Sequence, residues 1–196
     1  INVPANPSIN VGEKFTLAVW FKAYSLNTQQ TVMYWSYPVS TGEAMAMQMA
    51  MNIDGYQWAG NPFGANFIDV NGNDVSHVLS TARPSVNAWH HFAVSYDNAT
   101  GVGRIYLDGS IVLEKFIGHF IPSTKSDLWI GGSTLSYGPP VQWHGLLDDV
   151  RVYNRALSCF EVARLAQNIS GGYEIPVEFT EININTCPQT IKRIWT

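Results

Sequence analysis

Apolar and polar side chains alternate along the first clearly patterned stretch of the chain, between Phe15 and Ala23. Every second residue there is apolar, namely Phe15, Leu17, Val19 and Phe21. Because successive side chains of a strand point to opposite faces, this pattern predicts a strand with one buried face. Further apolar runs predict strands at 31–37, 44–51, 89–96, 103–107, 111–116, 128–131 and 145–153.

Methionine recurs with the period of a strand in the segment 44–51, which reads AMAMQMAM. Methionine side chains are flexible and fill irregular gaps in hydrophobic cores. The pattern therefore predicts a core face made by Met45, Met47, Met49 and Met51. A sulfur ligand site and a promiscuous groove are the alternatives.

Turn residues separate the predicted strands and indicate how they connect. Asp54-Gly55 and Asp108-Gly109 are hairpin signals, whereas 60–84 is the least regular part of the chain. One helix is predicted at 158–167, since Ser158 can cap it and Glu161 completes a capping box. We therefore predict an all-β fold, a two-sheet antiparallel sandwich with one short helix near the C-terminus.

Charge and composition exclude two classes of partner. The formal net charge is −4, and lysine and arginine are scattered singly along the 196 residues. Nucleic-acid binding needs clustered positive charge, so we expect no nucleic acid partner. The sequence contains no run of about 18 apolar residues, the length that a membrane-spanning helix requires, and so we expect no membrane insertion.

The two cysteines and two glycosylation sequons bear on the cellular location. Cys159 and Cys187 are too few and too far apart for a zinc site, but they are sufficient for one disulfide. Asn98 and Asn168 each begin an Asn-x-Ser/Thr sequon, the acceptor for N-glycosylation. Together these features predict a secreted, extracellular glycoprotein.

Five blocks of sequence in this order resemble the laminin-G-like, concanavalin-A-like jelly-roll superfamily, which includes the pentraxins. They are 15–23 (FTLAVWFKA), 89–97 (WHHFAVSYD), 105–112 (IYLDGSIV), 128–132 (LWIGG) and 145–158 (GLLDDVRVYNRALS). The resemblance implies a jelly roll over residues 1–172 whose usual first strand is missing. Residues 173–196 lie outside the family pattern, and we expect them to form an added edge strand or an arm for assembly.

The resemblance also implies calcium, which such folds commonly hold at a sheet rim beside a strand like 145–153. Asp148 and then Asp149 are the predicted ligands, because strand alternation places Asp148 on the apolar face with Leu146 and Val150. The alternative is that Asp148 accepts backbone N–H groups or meets an arginine. A second oxygen-rich cluster, Asp69, Asn71, Asn73 and Asp74, is either a calcium loop or a solvated Asn-Gly turn.

Exposed aromatic rings beside amide groups are the usual means of sugar recognition. The densest such set in the sequence consists of Tyr56, Trp58 and Phe63 with the flanking amides Asn61 and Asn66, and Tyr137 belongs to a second set. Glycan-cleaving relatives use acidic residues that alternate along one strand. Asp148 and Asp149 are adjacent instead, and no serine or cysteine has a base partner that the sequence reveals, so we expect no enzymatic activity.

The sequence therefore predicts a non-catalytic extracellular module for recognition or cell adhesion that binds a glycan or an extracellular protein, with calcium as a possible cofactor. One alternative is a structural subunit of an extracellular polymer or surface appendage, which self-associates through residues 173–196. A second alternative is a glycan-active hydrolase or lyase.

Overall fold

The computed structural model describes residues 1–26, 30–39, 42–51, 63–132 and 142–167. Eleven strands, one 3-10 turn and one α-helix lie in these ranges. They are β1 (Asn2–Val3), the 3-10 turn (Pro7–Ile9), β2 (Lys14–Ala23), β3 (Gln30–Val39), β4 (Gly42–Met51), β5 (Phe63–Ile68), β6 (Asp74–Ser80), β7 (His90–Asp97), β8 (Val102–Leu107), β9 (Ser110–Phe116), β10 (Leu128–Ile130), β11 (Gly145–Tyr153) and α1 (Cys159–Ala166).

The strands form two antiparallel sheets, which confirms the predicted sandwich. The six-stranded sheet has the order β1-β10-β3-β4-β5-β6, and the five-stranded sheet has the order β11-β2-β7-β8-β9. Strands distant in the chain are neighbours in both sheets, as in a jelly roll. The predicted extension 173–196 and the side chains of the methionine row in β4 lie outside what the structure describes, so both interpretations stay predictions.

The core between the sheets contains the side chains that alternate along β2, as the sequence predicted. Phe15, Val19 and Phe21 are fully buried there. Rings from the two sheets meet directly, since the centroids of Phe63 on β5 and Phe92 on β7 lie 3.7 Å apart. Burial of a large aromatic side chain contributes several kcal/mol, so this layer dominates the stability of the fold.

A β-bulge in β11 makes the predicted face assignment of this strand wrong. The register with β2 shifts between Asp148 and Arg151, and Asp149 adopts φ 49°. The extra residue reverses the alternation, so Leu147 and Val150 pack against the core whereas Leu146 and Asp148 are exposed. The Asp148 carboxylate therefore lies in water and needs no buried partner.

Helix α1 begins at the predicted cap. The Ser158 hydroxyl accepts from the Glu161 N–H, and the Glu161 carboxylate accepts from the Ser158 N–H, so the capping box is complete. Val162 is fully buried and packs with Ala18, Ala93 and other residues on the outer face of the five-stranded sheet. This helix therefore covers a second, smaller apolar cluster.

The three residues 89–91 (WHH) at the start of β7 differ in their surroundings. Trp89 is 44% exposed. His91 is 2% exposed, but it lies on the outer face of the five-stranded sheet, where its ring meets Trp20 at 5.5 Å. His90 faces the other way and lies 5.7 Å from the ring of Phe21. Each histidine thus has a packing role on its own face of the strand.

Candidate functional site

One row of residues runs across all six strands of the six-stranded sheet. The pairing joins Asn2 to Trp129, Trp129 to Tyr34, Tyr34 to Gln48, Gln48 to Asn66, and Asn66 to His77. Directly paired residues lie on the same face of a sheet. The whole row is aromatic or polar, in contrast to the apolar residues that alternate with it along the strands.

The row lies on the outer face of its sheet, away from the core. Its neighbours Leu128, Ala65 and Phe67 belong to the core cluster, which leaves the intervening Trp129 and Asn66 on the opposite side. The rings of Trp129 and Tyr34 are nearly parallel, with an interplanar angle of 11° and centroids 6.4 Å apart. At the centre of the row, the half-buried ring of Trp129 therefore lies parallel to the fully buried ring of Tyr34.

Two polar atoms in this row have no hydrogen-bond partner within the part of the chain that the structure describes. They are Trp129 Nε1, a donor, and Asn66 Oδ1, an acceptor. Tyr34 is fully buried, whereas Trp129 and Asn66 are half-buried. Both atoms are buried from solvent, and an unmade hydrogen bond at a buried atom costs about 1–3 kcal/mol.

Asp127 holds the end of the row in place. Its carboxylate accepts from the Asn2 side-chain amide at 3.1 Å and from the Ala5 N–H at 2.9 Å. These bonds, the one from Ala5 first, hold the pKa of Asp127 below its ordinary value. The carboxylate thus stays charged and fixes β1 against β10.

Several of the residues predicted to bind ligand lie outside the described residues. They are the aromatic residues Tyr56, Trp58 and Tyr137 and the amide residue Asn61. The chain leaves β4 after Met51 and β10 after Ile130, and the register puts both strand ends at the same end of the six-stranded sheet. Met51 is three residues beyond Gln48 and Ile130 is one residue beyond Trp129. At ~3.3 Å per residue, both strands end within about 10 Å of the polar row. The segments that carry the predicted residues therefore both start near this row.

Phe63 was also predicted to bind ligand, and the structure makes this assignment wrong. Its side chain is fully buried in the core, where it packs on Phe21 as well as Phe92. The preceding residues contain glycine, asparagine and proline, so the sequence resembled a loop. Strand pairing with β4 and β6 instead turns Phe63 inward.

The two residues predicted to bind calcium, Asp148 and Asp149, have other partners in the structure. Asp149 is 2.7 Å from the guanidinium of Arg151, and Asp148 accepts from the Asp149 N–H at 2.8 Å. Calcium requires six to eight oxygen ligands, and no group of three acidic, histidine or cysteine residues that could hold a metal occurs in the described ranges. Asp148 therefore accepts a backbone N–H, which is one of the alternatives given for this residue, whereas the arginine pairs with its neighbour Asp149.

The Asp69 loop has the geometry of a hydrogen-bonded turn. The Asp69 carboxylate accepts from the backbone N–H and side-chain amide of both Asn71 and Asn73. These bonds, led by the Asn73 side chain, hold the pKa of Asp69 below its ordinary value. The same loop residues that would complete a calcium site are thus donors to the aspartate, which favours the solvated turn.

The predicted modification sites are only partly within the described ranges. Asn98 lies in the tight turn between β7 and β8, and its Oδ1 atom accepts from the Tyr96 hydroxyl at 3.2 Å. Cys159 is the first residue of α1. Asn168 and Cys187 lie outside the described residues, so glycosylation and the disulfide stay predictions.

The pattern of residues along the chain does not reveal the polar row. Its members come from six strands distributed between residues 2 and 129, and only the register brings them side by side. The one signal available in the sequence was the polar residue at alternate positions, such as Asn66 between Ala65 and Phe67. That signal marks an outer face but not which strands share it.

Comparisons with known proteins agree with this architecture. A family profile described as the concanavalin A-like lectin/glucanases superfamily matches residues 1–163. Among curated protein sequences none matches the chain significantly. In described residues no helix is long and apolar enough to cross a membrane.

Several solved structures share the fold at low sequence identity. A SAP-like pentraxin from Limulus polyphemus has 18% identity and a TM-score of 0.59, covering 84% of this chain and 72% of its own. The CBM40 domain of a Ruminococcus gnavus IT-sialidase, bound to α2,3-sialyllactose, has 13% identity, a TM-score of 0.65 and coverage of 81% and 85%. Domain 4 of the Geobacillus stearothermophilus arabinanase AbnA, bound to arabinotriose, has 19% identity, a TM-score of 0.59 and coverage of 85% and 71%.

Proposed function

We propose that carbohydrate binding is the function of this chain, which belongs to the concanavalin A-like lectin/glucanases superfamily. The observation that carries the proposal is the polar and aromatic row across the six-stranded sheet, centred on Trp129, Tyr34 and Asn66. A sugar ring presents C–H groups to an aromatic face and hydroxyl groups to amides, and this row combines both kinds of surface.

Two buried polar atoms of the row would each gain a hydrogen bond from a hydroxyl-rich ligand that reached them. Trp129 Nε1 is a donor and Asn66 Oδ1 is an acceptor. They lie three strands apart, about 14 Å at ~4.8 Å per strand, so an oligosaccharide that extends across several strands is the ligand that could contact both. Each bond to a sugar would replace an unmade hydrogen bond. Binding would thereby recover part of the cost of leaving these atoms unpaired.

The solved relatives support the substrate class. Two of them were crystallised with oligosaccharides, α2,3-sialyllactose and arabinotriose. At identities below 20% they share the fold with this chain, and fold alone does not transfer a ligand. The assignment of Tyr56, Trp58 and Tyr137 to a ligand site stays a prediction from the sequence.

The experiment measures binding of α2,3-sialyllactose, arabinotriose and a wider glycan array to the chain and to Trp129→Ala. We expect Trp129→Ala to weaken binding at least tenfold, because it removes both the ring surface and the Nε1 donor. Phe116→Ala is the matched control, since Phe116 is an aromatic side chain that is 64% exposed on the other sheet. Circular dichroism melts establish that both variants fold.

Two outcomes would contradict the proposal. One is that no glycan binds the folded wild-type chain. The other is that a glycan binds and Trp129→Ala retains the wild-type affinity, which would put the sugar elsewhere on the molecule.

An extracellular location belongs to the same proposal. It is supported by the two sequons and by the cysteine pair, and no described cysteine is a free thiol. Self-association through 173–196, calcium and a protein ligand in place of a glycan remain predictions. The described residues provide no specific observation that favours any of them over sugar binding.

A further inference from the structure

Three side chains associated with the five-stranded sheet form a continuous hydrogen-bonded series. Ser85 Oγ lies 2.9 Å from His90 Nε2, and His90 Nδ1 lies 2.7 Å from Asp108 Oδ2. Ser85 precedes β7, His90 begins β7, and Asp108 lies in the turn between β8 and β9. None of these residues belongs to the polar row.

These two hydrogen bonds determine which nitrogen of the His90 imidazole carries the proton. A carboxylate accepts only, so the Nδ1 atom of neutral His90 carries the proton and donates it to Asp108. Nε2 is then an acceptor, and the Ser85 hydroxyl donates to it. This is the arrangement in which a histidine can take the proton of a serine as that serine attacks a carbonyl carbon.

The surroundings hold the three residues in this arrangement. The second oxygen of Asp108 accepts from the His91 N–H at 2.8 Å, and the Asp108 N–H donates to the His91 carbonyl at 2.8 Å. The ring of His90 packs 5.7 Å from that of Phe21. Asp108 adopts φ 50° in the Asp-Gly turn, which positions its side chain towards β7.

The nucleophile is open to a substrate. Ser85 is exposed, the His90 side chain is 15% exposed and the Asp108 side chain is 50% exposed. Val86 and Trp89 in the same segment are 46% and 44% exposed, and they offer apolar surface to an acyl group. In α/β-hydrolases the N–H after the nucleophile helps to hold the oxyanion, and here that group belongs to Val86.

We propose that Ser85, His90 and Asp108 form a serine acyl-transfer site whose substrates are carboxylic esters. Ser85 Oγ bonds to the ester carbonyl carbon as its proton passes to His90 Nε2. The bond to the alcohol breaks, and the leaving oxygen takes that proton. Water then gives a proton to Nε2 and its hydroxide to the acyl carbon, which releases the acid as Ser85 regains the proton.

The first test is labelling of the intact chain with a fluorophosphonate, read by mass spectrometry and peptide mapping. We expect one adduct on Ser85, absent from Ser85→Ala and slowed at least tenfold in Asp108→Asn. Asn tolerates positive φ, so this variant keeps the turn while removing the charge. Ser110→Ala, which alters an exposed serine near Asp108, should label as the wild type does.

The second test is hydrolysis of p-nitrophenyl acetate. We expect a rate that Ser85→Ala abolishes and that Asp108→Asn lowers at least tenfold, because the Asp108 carboxylate orients the His90 ring. The proposal would be overturned if Ser85 formed no adduct, or if wild type and Ser85→Ala hydrolysed the ester at the same rate. The three residues would then have only a structural role, in which they connect the 85–90 segment to the β8–β9 turn. Glycan binding uses other residues and should be unchanged in Ser85→Ala.

Discussion

At the scale of single residues, burial sets the chemistry of His91. Burial lowers its pKa from the ordinary 6.5 to about 4, while Asp108 and Asp149 oppose the shift. Its Nδ1 atom has no partner among described residues. His91 is therefore a neutral packing residue next to Trp20, although it adjoins His90, whose two nitrogens are both hydrogen-bonded. Two neighbouring histidines thus differ because the strand sends them to opposite faces.

His91 makes the stability of the protein depend on pH. Between pH 6.5 and about 4 the unfolded chain binds a proton at this site that the folded chain does not bind, so stability falls as the pH is lowered through this window. The expected loss is about 3 kcal/mol at pH 4, from about 1.4 kcal/mol per pKa unit. Urea unfolding of wild type and His91→Phe at pH 7 and pH 4 measures it.

The carboxylates titrate in both wild type and His91→Phe. The difference between the two proteins in their loss of stability therefore reports on His91. We expect His91→Phe to lose less stability than wild type between pH 7 and pH 4. Equal losses in the two proteins would show that His91 is not buried in its neutral form.

At the scale of elements, the helix is joined to the sheet by a short polar connection. The Thr16 hydroxyl on β2 donates to the Arg155 carbonyl at 3.0 Å and accepts from the Leu157 N–H at 2.8 Å. Arg155 also pairs with Glu161 at 2.7 Å. That pair, followed by bonds from Ser158, lowers the pKa of Glu161 to about 2. The capping box and the sheet therefore fix the start of α1 together.

Removal of the cap should loosen this element without unfolding the sandwich. We expect Ser158→Ala to lower the free energy of unfolding by about 1 kcal/mol, the usual cost of losing an N-cap oxygen. Urea denaturation measures the change, with Ser8→Ala as the control at an exposed serine distant from α1. A variant as stable as wild type would show that the cap contributes nothing to the fold.

At the scale of the whole molecule, the inner faces of the two sheets stabilise the fold, and the outer face of the six-stranded sheet carries the proposed recognition site. Aromatic side chains on the inner faces, such as Phe63 and Phe92, hold the sheets together. Residues of the same strands that point outward, such as Asn66, form the proposed sugar site. Alternation along one strand thus supplies both a core and a binding surface.

Phe63 and Trp129 test this division. We expect Phe63→Ala to lower the free energy of unfolding by about 3–5 kcal/mol, as for other buried phenylalanines, whereas Trp129→Ala mainly loses glycan binding. Chemical denaturation of both variants beside the wild type measures the contrast. If Phe63→Ala were fully stable but failed to bind sugar, the original assignment of Phe63 to the ligand site would be restored.

Local signals in the sequence were enough to predict the fold class and several details. Alternation in 15–23 predicted the buried face of β2, and the Ser158 and Glu161 pair predicted the start of α1. These features depend on residues within a few positions of each other, so their physical cause is local. The family resemblance extended them to a jelly roll because it rests on five such blocks in order.

Other features depended on contacts that no local pattern contains. A single bulge at Asp149 exposed Asp148 and removed the reason to assign calcium to it. Pairing with two strands buried Phe63, and register alone aligned Trp129, Tyr34 and Asn66 across the sheet. The contact of Ser85 with His90 and Asp108 likewise depends on where a hairpin meets β7. The sequence by itself determined which faces are apolar, and only tertiary pairing decided which polar residues meet, because a shift of one residue in register reverses every face.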